Sequence, residues 1–485
     1  MMSNVKKILF ENISIKQTLM KNTIWLSLAE FIDKGLLAFL AILIARHLGV
    51  EEYGQLSFAL TFTSFFAVSL DLGLSTLFVR EVSRKKELLK NYTSNILGIK
   101  FILAILNVFI LLIIINVFQE HFLVDVKSLI YFFIIYTILV NFNIFFKSLF
   151  QAIEKMQYEA YVRIIQSFAL FALGVIFILF NYSIAWIAVA YVLSGFIGFL
   201  INIVIIIRRK ISFLKPRFNI KLYKDLLKES WPFALSIIFN IIYFKIDIIM
   251  LGFLKTNIDV GLYVAAYNIV ILFYYLPQTV SSALLPIISR LFLTNREKLI
   301  SVYKQLFDYH YIFGVFFSLL LFIESKEIIN LLFGSDYASA HIVLKILSIA
   351  IIFKYIAYIS GITLTSINKQ KTRTKYQGIT TVINIGLNIV LIPYIGIIGA
   401  AISTVVTEMF LAGFYFYTTS KNFYFYKNIK LILIPPGIFA IFLVLPLDQF
   451  NQLSLIPFIT VVYFYALYKT RLLKFTWLEA INIKN

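Results

Sequence analysis

Cysteine is absent from the 485-residue chain. This absence excludes disulfides, thiolate metal sites and cysteine nucleophiles, and it leaves the cellular compartment open. Charge is also scarce: 14% of the residues are Asp, Glu, Lys or Arg, whereas 61% are hydrophobic. A soluble domain has about 25% charged and about 45–50% apolar residues. The composition therefore predicts an integral membrane protein, in agreement with a mean hydropathy of +0.89.

Motifs of soluble enzymes are missing as well. The sequence contains neither a GxxxxGK[ST] phosphate loop nor an HExxH zinc motif. The first 22 residues are polar and basic and lack the apolar core of a signal peptide. We therefore expect the first membrane span to act as its own insertion signal.

Negative charge is in the minority, with 24 Asp and Glu against 44 Lys and Arg and a formal net charge of +20. In a soluble protein this excess would indicate a nucleic-acid partner. Here the basic residues lie in short loops between apolar runs, where they set the topology of a membrane protein. No nucleic-acid partner is therefore expected.

Fourteen apolar runs approach the length of about 20 residues that a bilayer requires. The last two runs and their flanks contain four prolines, which kink or break a membrane helix. The runs cover approximately residues 23–45, 55–79, 95–118, 128–150, 161–181, 184–207, 230–253, 261–288, 309–332, 341–366, 376–393, 397–418, 429–446 and 453–468.

Basic residues are distributed unevenly between the loops that join these runs. The loops of one side hold most of the Lys and Arg, whereas those of the other side hold Arg46, Lys127, Lys255 and Lys326. Cytoplasmic loops carry the excess of Lys and Arg in membrane proteins. This asymmetry predicts that both termini lie in the cytoplasm and that the number of spans is even.

An internal repeat divides the chain into two similar halves, each beginning on the predicted cytoplasmic side. Repeats of this parallel kind are common in transporters, which handle their substrate between the halves. The matched pairs, about 206 to 214 positions apart, are Trp25 with Trp231, residues 53–59 with 260–266, and residues 151–155 with 365–369.

We predict an all-α polytopic membrane protein with about 14 transmembrane helices, arranged as two parallel six-helix lobes followed by two C-terminal helices. The predicted domains are an N-terminal lobe (1–207), a basic cytoplasmic linker (208–228), a C-terminal lobe (229–420), and two extra helices with a cytoplasmic tail (421–485).

Ten charged residues are assigned to the predicted spans and not to the loops that join them. A charge at the bilayer centre costs at least about 2.5–3.5 kcal/mol on insertion scales, so each of them requires a partner or a watered cavity. Two lysines near span ends are expected to reach the headgroups, Lys100 and Lys345. The others are Lys34, Lys245, Lys354, Glu30, Asp33, Asp71, Asp247 and Glu408.

Glu30 and Lys34 share one helical face, with Asp33 beside them. In one interpretation they form a structural ion pair that eases insertion. In the other, an acid exchanges H⁺ or Na⁺ while Lys34 meets an anion. Buried lysines suit a phosphate-bearing substrate, because the ammonium group is a compact point charge. A cation exporter should have a net acidic cavity. The five in-span acids balance the five in-span lysines, so the count of charges does not decide between the two and a cation exporter stays open as an alternative.

Aromatic residues make up 17% of the chain, with 29 tyrosines. Some of them are expected to form an interfacial belt. Six in-span tyrosines could instead offer stacking faces to sugars: Tyr243, Tyr267, Tyr274, Tyr275, Tyr355 and Tyr358.

Several sequence blocks, taken in order up to about residue 418, resemble polysaccharide-unit flippases of the Wzx type. Each block alone is a weak match, and the resemblance is strong because the blocks occur together and in the same order. The blocks are Asn22-Thr-x-Trp25, Ala45-Arg46-x-Leu48-Gly49-x-x-x-Tyr53-Gly54, Asp71-Leu-Gly73 with Arg80-Glu81, Lys245-Ile-Asp247 through Gly252, Gly261-x-Tyr263-x-x-Ala266, and Asn384-x-x-Leu-Asn388 through Ala401 with Glu408.

The resemblance implies membership of the multidrug/oligosaccharidyl-lipid/polysaccharide exporter superfamily, whose members place two six-helix lobes around a central cavity and work by alternating access. It implies that an undecaprenyl-diphosphate-linked oligosaccharide, such as an O-antigen or capsule unit, is carried to the outer leaflet of the bacterial cytoplasmic membrane. It further implies a cationic cavity for the diphosphate and coupling to an H⁺ or Na⁺ gradient, with no cofactor.

The resemblance divides the in-span charges into two sets of candidate residues. The candidates for binding the diphosphate are Lys34, Lys245 and Lys354. The candidates for ion coupling or helix pairing are Glu30, Asp33, Asp71, Asp247 and Glu408.

The expected partners are the lipid-linked oligosaccharide, membrane lipids and the coupling ion, with other polysaccharide-assembly proteins as further candidates. Three alternatives stay open: a cation or drug antiporter of the same superfamily, a membrane glycosyltransferase or polymerase, and a scramblase without ion coupling. An enzyme of that kind usually needs a sizeable outer loop. The longest predicted outer loop has only about 15 residues, at 324–340. Moving a lipid breaks no bond, so no catalytic residue is expected.

Overall fold

The computed structural model describes residues 15–118, 124–212, 214–423, 429–444, 455–470 and 472. These residues form fourteen α-helices and three 3₁₀ turns, and they contain no β-strand. The prediction of an all-α polytopic fold is confirmed, and the chain is a multi-pass membrane protein. By length and composition, nine of the described helices can cross a membrane.

The helices follow one another with short connections. In chain order they are α1 (Ile15–Phe66), α2 (Leu74–Arg84), α3 (Leu89–Val117), α4 (Val124–Ala152), α5 (Met156–Leu179), α6 (Ile184–Arg208), α7 (Ile220–Leu254), α8 (Asn257–Thr294), α9 (Arg296–Ile323), α10 (Ser325–Phe333), α11 (Ala340–Ser366), α12 (Gln370–Phe423), α13 (Ile429–Val444) and α14 (Leu455–Lys469). The 3₁₀ turns are Ala67–Leu70, Lys86–Leu88 and Ser335–Tyr337.

The fourteen helices do not correspond one to one with the fourteen predicted spans. Helix α1 joins the first span to the start of the second across a kink at Gly49, whose φ is 73°. Helix α12 joins the eleventh and twelfth spans across Gly396, whose φ is 56°. Only glycine adopts such positive φ values at little cost. Helix α10 is short and lies inside the predicted outer loop at 324–340.

Two compact units make up the chain, residues 1–245 and residues 246–485. The division falls inside α7, so the first part of this helix belongs to the first unit. The domain boundaries proposed from the sequence stay a prediction.

The core of the first unit is built from aromatic and branched side chains of α2, α3 and α4, joined by the start of α7. Phe78 of α2 meets Phe145 of α4 edge to face, with ring centroids 5.3 Å apart. Leu226 of α7 is buried in the same cluster. Apolar lipid surrounds such helices, so close side-chain packing contributes much of their association.

The second predicted span is broken between α1 and α2. The 3₁₀ turn Ala67–Leu70 is followed by Asp71, by Leu72 with a φ of 46° and by Gly73 with a φ of 77°. Each backbone carbonyl that such a break frees costs several kcal/mol in hydrocarbon unless it is hydrogen-bonded. The break is therefore stable only if neighbouring helices supply donors.

Side chains of α3 and α4 supply these donors. Asn107 Nδ2 donates to the Phe66 carbonyl at 2.9 Å. Asn141 Nδ2 donates to the carbonyl of Ala67 at 3.3 Å. A third carbonyl of the break accepts from Lys100 Nζ at 3.4 Å. Three polar residues of neighbouring helices thus keep the broken span compatible with a membrane interior.

Helix α2 packs closely on the start of α7. A Cβ atom added to Gly73 would lie 2.6 Å from the carbonyl oxygen of Ser230 and 2.8 Å from the amide nitrogen of Ala234. Further along α2, Arg80 Nη2 contacts Glu229 Oε2 at 3.1 Å. Its guanidinium group lies over the Phe233 ring, 5.4 Å from the centroid. These contacts explain why the first part of α7 belongs to the first unit.

Helices α8, α9, α11 and α12 form the body of the second unit. Helix α8 begins with a capping box, in which Thr256 Oγ1 accepts from the amide of Asp259 and the Asp259 carboxylate accepts from the amide of Thr256. The two C-terminal helices, α13 and α14, pack on α9. Tyr463 of α14 is buried and donates to the Ile312 carbonyl at 2.8 Å.

Candidate functional site

The eight predicted site residues lie in both units. Glu30, Asp33, Lys34, Asp71 and Lys245 belong to the first unit. The second unit contains the other three, Asp247, Lys354 and Glu408. Within each unit the structure gives most of these residues definite partners, several of which the sequence did not indicate.

Lys34 and Lys245 lie within electrostatic range of each other. Lys34 is on α1 and Lys245 is on α7, and both side chains are half-buried. Two neighbouring positive charges are unfavourable unless an anion or water compensates them. This pair therefore suits an anion with more than one negative charge.

Glu30 and Asp33, on the same stretch of α1, turn to partners on α5. Glu30 Oε2 lies 3.8 Å from Arg163 Nη1. Asp33 Oδ1 accepts a hydrogen bond from Ser167 Oγ. Arg163 also contacts the buried carboxylate of Glu159 at 3.3 Å. Arg163 lies in the second turn of α5, near the start of the predicted span 161–181.

Asp71 forms a buried ion pair with Lys100, in which Lys100 Nζ lies 2.6 Å from Asp71 Oδ1. Lys100 also donates to Asn141 Oδ1, and Ser75 Oγ donates to Asp71 Oδ1. The prediction that Lys100 reaches the headgroups is wrong. Helix α3 begins at Leu89, so Lys100 lies three turns inside it and is 1% exposed.

Lys354 and Glu408 form the corresponding buried ion pair of the second unit. Lys354 Nζ lies 2.6 Å from Glu408 Oε1, and the side chains are 6% and 2% exposed. The ammonium group also faces two aromatic rings, at 5.1 Å from the centroid of Tyr274 and 5.6 Å from that of Tyr358. Lys354 therefore lies in a cage made by one carboxylate and two tyrosines.

Asp247 lies at the centre of a second buried cluster in this unit. Its carboxylate accepts from Thr404 Oγ1 at 2.6 Å, from Tyr263 OH at 2.8 Å and from Asn388 Nδ2 at 2.5 Å. Asn388 also donates to Asn384 Oδ1 at 3.2 Å, one turn earlier on α12. The kink at Gly396 lies between Asn388 and Thr404 on α12.

The Asp247 cluster presents only oxygen atoms as candidate ion ligands: one carboxylate, two amide oxygens and two hydroxyls. Oxygen ligands suit hard cations. Among the described residues, Asn388 Oδ1 is buried without a hydrogen-bond partner, which leaves one acceptor available. The part of the chain that the structure describes holds no group of three or more His, Asp or Glu suited to a metal ion. The cluster fits a monovalent cation or a proton better than a divalent metal.

Four of the six tyrosines proposed for sugar stacking are buried: Tyr243, Tyr267, Tyr274 and Tyr355. Tyr275 and Tyr358 are half-buried. Tyr358 OH makes a long hydrogen bond of 3.5 Å to Oε1 of the exposed Gln278. These two tyrosines are therefore the members of the set that a sugar can reach.

Two family profiles match the sequence. The profile described as "Polysaccharide biosynthesis protein" matches residues 19–292, more than half of the chain. The profile described as "MatE" matches residues 232–394.

Two curated proteins of archaea are similar in sequence. An uncharacterized membrane protein of Methanocaldococcus jannaschii is 25% identical over 497 residues, which cover 97% of each chain. The protein named "Probable low-salt glycan biosynthesis flippase Agl15" of Haloferax volcanii is 30% identical over 196 residues, 40% of this chain and 41% of that protein.

Two solved structures have a similar fold. The lipid II flippase MurJ in an inward closed conformation matches with a TM-score of 0.75 at 20% identity, over 93% of this chain and 100% of that chain. A multidrug resistance MATE family transporter of the MOP superfamily, in an inward-facing conformation, matches with a TM-score of 0.67 at 16% identity, over 80% and 94%. At these sequence identities, the structural similarity establishes the fold alone.

Proposed function

The chain belongs to the polysaccharide biosynthesis protein family, and on this premise we propose that it is a flippase for lipid-linked oligosaccharides. The substrate is an oligosaccharide repeat unit attached to undecaprenyl diphosphate, and it moves from the inner to the outer leaflet of the bacterial cytoplasmic membrane. Transport proceeds by ion-coupled alternating access, with both termini of the protein in the cytoplasm. The flippase named in Haloferax volcanii and the lipid II flippase MurJ support this class of substrate.

The electrostatic interaction between the half-buried Lys34 of α1 and Lys245 of α7 carries the proposal. Their mutual repulsion is relieved when an anion with at least two negative charges binds between or beside them. A diphosphate has this charge, and lysine is a common phosphate ligand. In this proposal the two lysines bind the diphosphate, and Lys354 is the third candidate.

The physical properties of a membrane explain why a lipid-linked oligosaccharide needs a protein to cross it. A diphosphate and several sugars cannot cross hydrocarbon unaided, because each unpaired polar group costs several kcal/mol there. A hydrated path lined by lysines lowers this barrier while the polyprenyl tail stays in lipid. No bond is broken, so the protein needs neither a catalytic residue nor a cofactor.

Ion coupling is assigned in this proposal to the Asp247 cluster. One carboxylate surrounded by hydroxyl and amide oxygens can bind Na⁺ or exchange a proton without a second charged ligand. Asp33, which accepts a hydrogen bond from Ser167, is a further candidate in the first unit. Glu30 and Asp71 each have an ion-pair partner on another helix, and this favours the helix-pairing role for both.

Reconstituted vesicles test the proposal directly. A fluorescent lipid-linked oligosaccharide that reaches the outer leaflet is measured by a quencher outside the vesicles. Lys34→Ala and Lys245→Ala should each reduce flipping about tenfold, roughly the loss of one charge-assisted contact. The arginine variants should keep more activity. The matched control is Lys345→Ala, because Lys345 lies over the Phe322 ring in the second unit. Normal flipping by both alanine variants would overturn the assignment.

A cation or drug antiporter is the second candidate, because the MatE profile matches residues 232–394. Proton-driven efflux of an organic cation such as ethidium from the same vesicles, without movement of the lipid-linked sugar, would favour it. Transfer of sugar by the purified protein would instead indicate an enzyme.

A further inference from the structure

Buried polar atoms without hydrogen-bond partners among the described residues lie at the Lys354–Glu408 pair. Glu408 Oε1 accepts from Lys354, whereas Glu408 Oε2 has no partner among the described residues although the residue is buried. The hydroxyl of Tyr274, whose ring faces the same ammonium group, is also buried without a partner in this part of the chain. Buried polar atoms without partners are uncommon in native proteins and mark sites of function or of bound water.

One half-buried side chain connects Lys354 with an exposed residue. Tyr358 is half-buried, its ring lies over the ammonium group, and its hydroxyl reaches the exposed Gln278. At 3.5 Å this hydrogen bond is at the limit of the useful range. This hydrogen bond therefore opposes a rotation of Tyr358 only weakly, and such a rotation would remove the ring from the ammonium group of Lys354.

A ligand that approaches Lys354 must compete with Glu408. An anion can take over the hydrogen bonds of the ammonium group, and the carboxylate is then left buried without its counter-charge. A buried carboxylate in that position is neutralised by taking up a proton, because an isolated charge in a low-dielectric interior is strongly unfavourable. Binding of the anion and uptake of a proton are then linked at one site.

We propose that Lys354 and Glu408 form an exchange site, in which a phosphate group of the transported lipid replaces Glu408 on Lys354 and the released carboxylate binds one proton. The hydrogen bond from Lys354 passes from a carboxylate oxygen to a phosphate oxygen, and Lys354 stays charged. The proton comes from water and forms an O–H bond on Glu408. Release of the lipid reverses both steps. The inference rests on the proposed function, since it assigns a coupling role to the same substrate.

The groups around Glu408 leave it as the main candidate for this proton. Tyrosines stay neutral below about pH 10, and the neighbouring ionisable groups are mostly tyrosines. Asp247 is the other nearby carboxylate, and it already accepts three hydrogen bonds. The surrounding groups are Tyr267 and Tyr274 on α8, His310 on α9 against Tyr355, Lys354 and Tyr358 on α11, and Arg373 and Tyr415 on α12, together with Asp247 on α7.

Binding and proton uptake can be measured together on the full-length protein in lipid nanodiscs. The probe is undecaprenyl diphosphate, added in weakly buffered solution that contains a pH-sensitive dye. The wild type should bind the lipid and take up about one proton per molecule bound, and its affinity should rise as the pH falls. Glu408→Gln should bind at least as tightly as the wild type, without proton uptake or pH dependence. Lys354→Gln should weaken binding about tenfold.

Two further variants separate the explanations. Glu324→Gln, which removes another buried carboxyl of the second unit, is the matched control and should keep the proton uptake. If Asp247→Asn abolishes the uptake while Glu408→Gln keeps it, the exchange site is overturned. Binding by the wild type without proton uptake overturns the inference and leaves the proposed function intact. A folded wild type that does not bind the diphosphate lipid overturns both.

Discussion

Lys100 and Asp71 lie 29 positions apart in the sequence and form a buried ion pair of 2.6 Å. Asp71 directly precedes the turn at Leu72 and Gly73, where the second predicted span is broken. The same ammonium group donates to the Leu70 carbonyl. The ion pair therefore fixes the conformation of the break as well as compensating two charges.

Lys100→Met should reduce the free energy of unfolding by about 3–5 kcal/mol, because it leaves the Asp71 carboxylate buried without its counter-charge. The double variant Lys100→Met with Asp71→Asn should recover part of this loss, since neither charge remains. Thermal unfolding in detergent measures both effects. Lys90→Met, at an exposed position of the same helix, is the control. Equal stability of the single variant and the wild type would contradict a structural role for the pair.

Gly73→Ala should destabilise the protein by about 1–3 kcal/mol, through overpacking and an unfavourable φ. The new Cβ atom would lie 2.6 Å from the Ser230 carbonyl oxygen, at a residue whose φ is 77°. The control is Gly413→Ala, where no neighbouring atom lies within 4 Å of the added Cβ. Because alanine favours a helix, the control should raise stability by about 0.5–1 kcal/mol. Identical shifts of the unfolding temperature would rule out the close approach of α7.

Glu324 should make stability dependent on pH. It directly follows the last residue of α9 and is fully buried. Neither of its carboxylate oxygens has a hydrogen-bond partner among the described residues. Burial and the charge of Glu327 raise the pKa of Glu324 from 4.5 to about 7. The folded protein therefore holds a proton that the unfolded chain releases between these values. The free energy of unfolding should fall as the pH rises from about 4.5 to 7 and then level off, a loss on the order of 3 kcal/mol.

The variant Glu324→Gln tests this assignment, because an amide does not titrate. Its unfolding temperature should vary less than that of the wild type between pH 5 and 8, and at pH 8 it should match or exceed the wild type. The exposed Glu297 on α9 gives the control variant, Glu297→Gln. An unchanged pH profile in Glu324→Gln would show that the carboxyl is ionised throughout.

Asp247→Asn should abolish the response of the protein to Na⁺, if Na⁺ is the ion that the Asp247 cluster binds. If Na⁺ binds the cluster, an excess of Na⁺ over K⁺ should raise the unfolding temperature of the wild type, because a ligand that binds only the folded state stabilises it. The variant should lose this increase together with gradient-driven flipping. Asp225→Asn, at an exposed position early in α7, should keep both. If Na⁺ has no effect on the wild type but a pH gradient drives flipping, the coupling ion is a proton, and Glu408 is its main candidate site.

The fold class could be predicted because long apolar runs have few alternatives in a membrane. The kinks at Gly49 and Gly396 lie at the short loops expected between successive spans, although the helices continue through them. The break at Asp71 to Gly73 was not predicted. Its hydropathy is that of a continuous span, and only the donors on α3 and α4 make it stable.

The in-span charges could be listed from the sequence, but their partners could not. Asp247 was a candidate site residue, and Asn388 and Tyr263 were part of the resemblance blocks, whereas Thr404 was not indicated, because threonine is common in membrane helices. The prediction that Lys100 reaches the headgroups was wrong because its depth in the membrane was judged from its position in one helix alone. An acid and a lysine on successive spans were a usable signal for that pair. Distances between helices depend on packing, which no local pattern encodes.

The carbonyl groups freed at the break in the second span are satisfied by Lys100, Asn107 and Asn141, which occur later in the chain. A chain is synthesised from its N-terminus, so the broken span leaves the ribosome before its donors exist. Until residue 141 has entered the bilayer, the break stays incompatible with lipid and is held near water or the insertion machinery. The first four spans are therefore expected to enter the membrane as one group, and a variant that lacks these donors would fail during biogenesis before it could fail in transport.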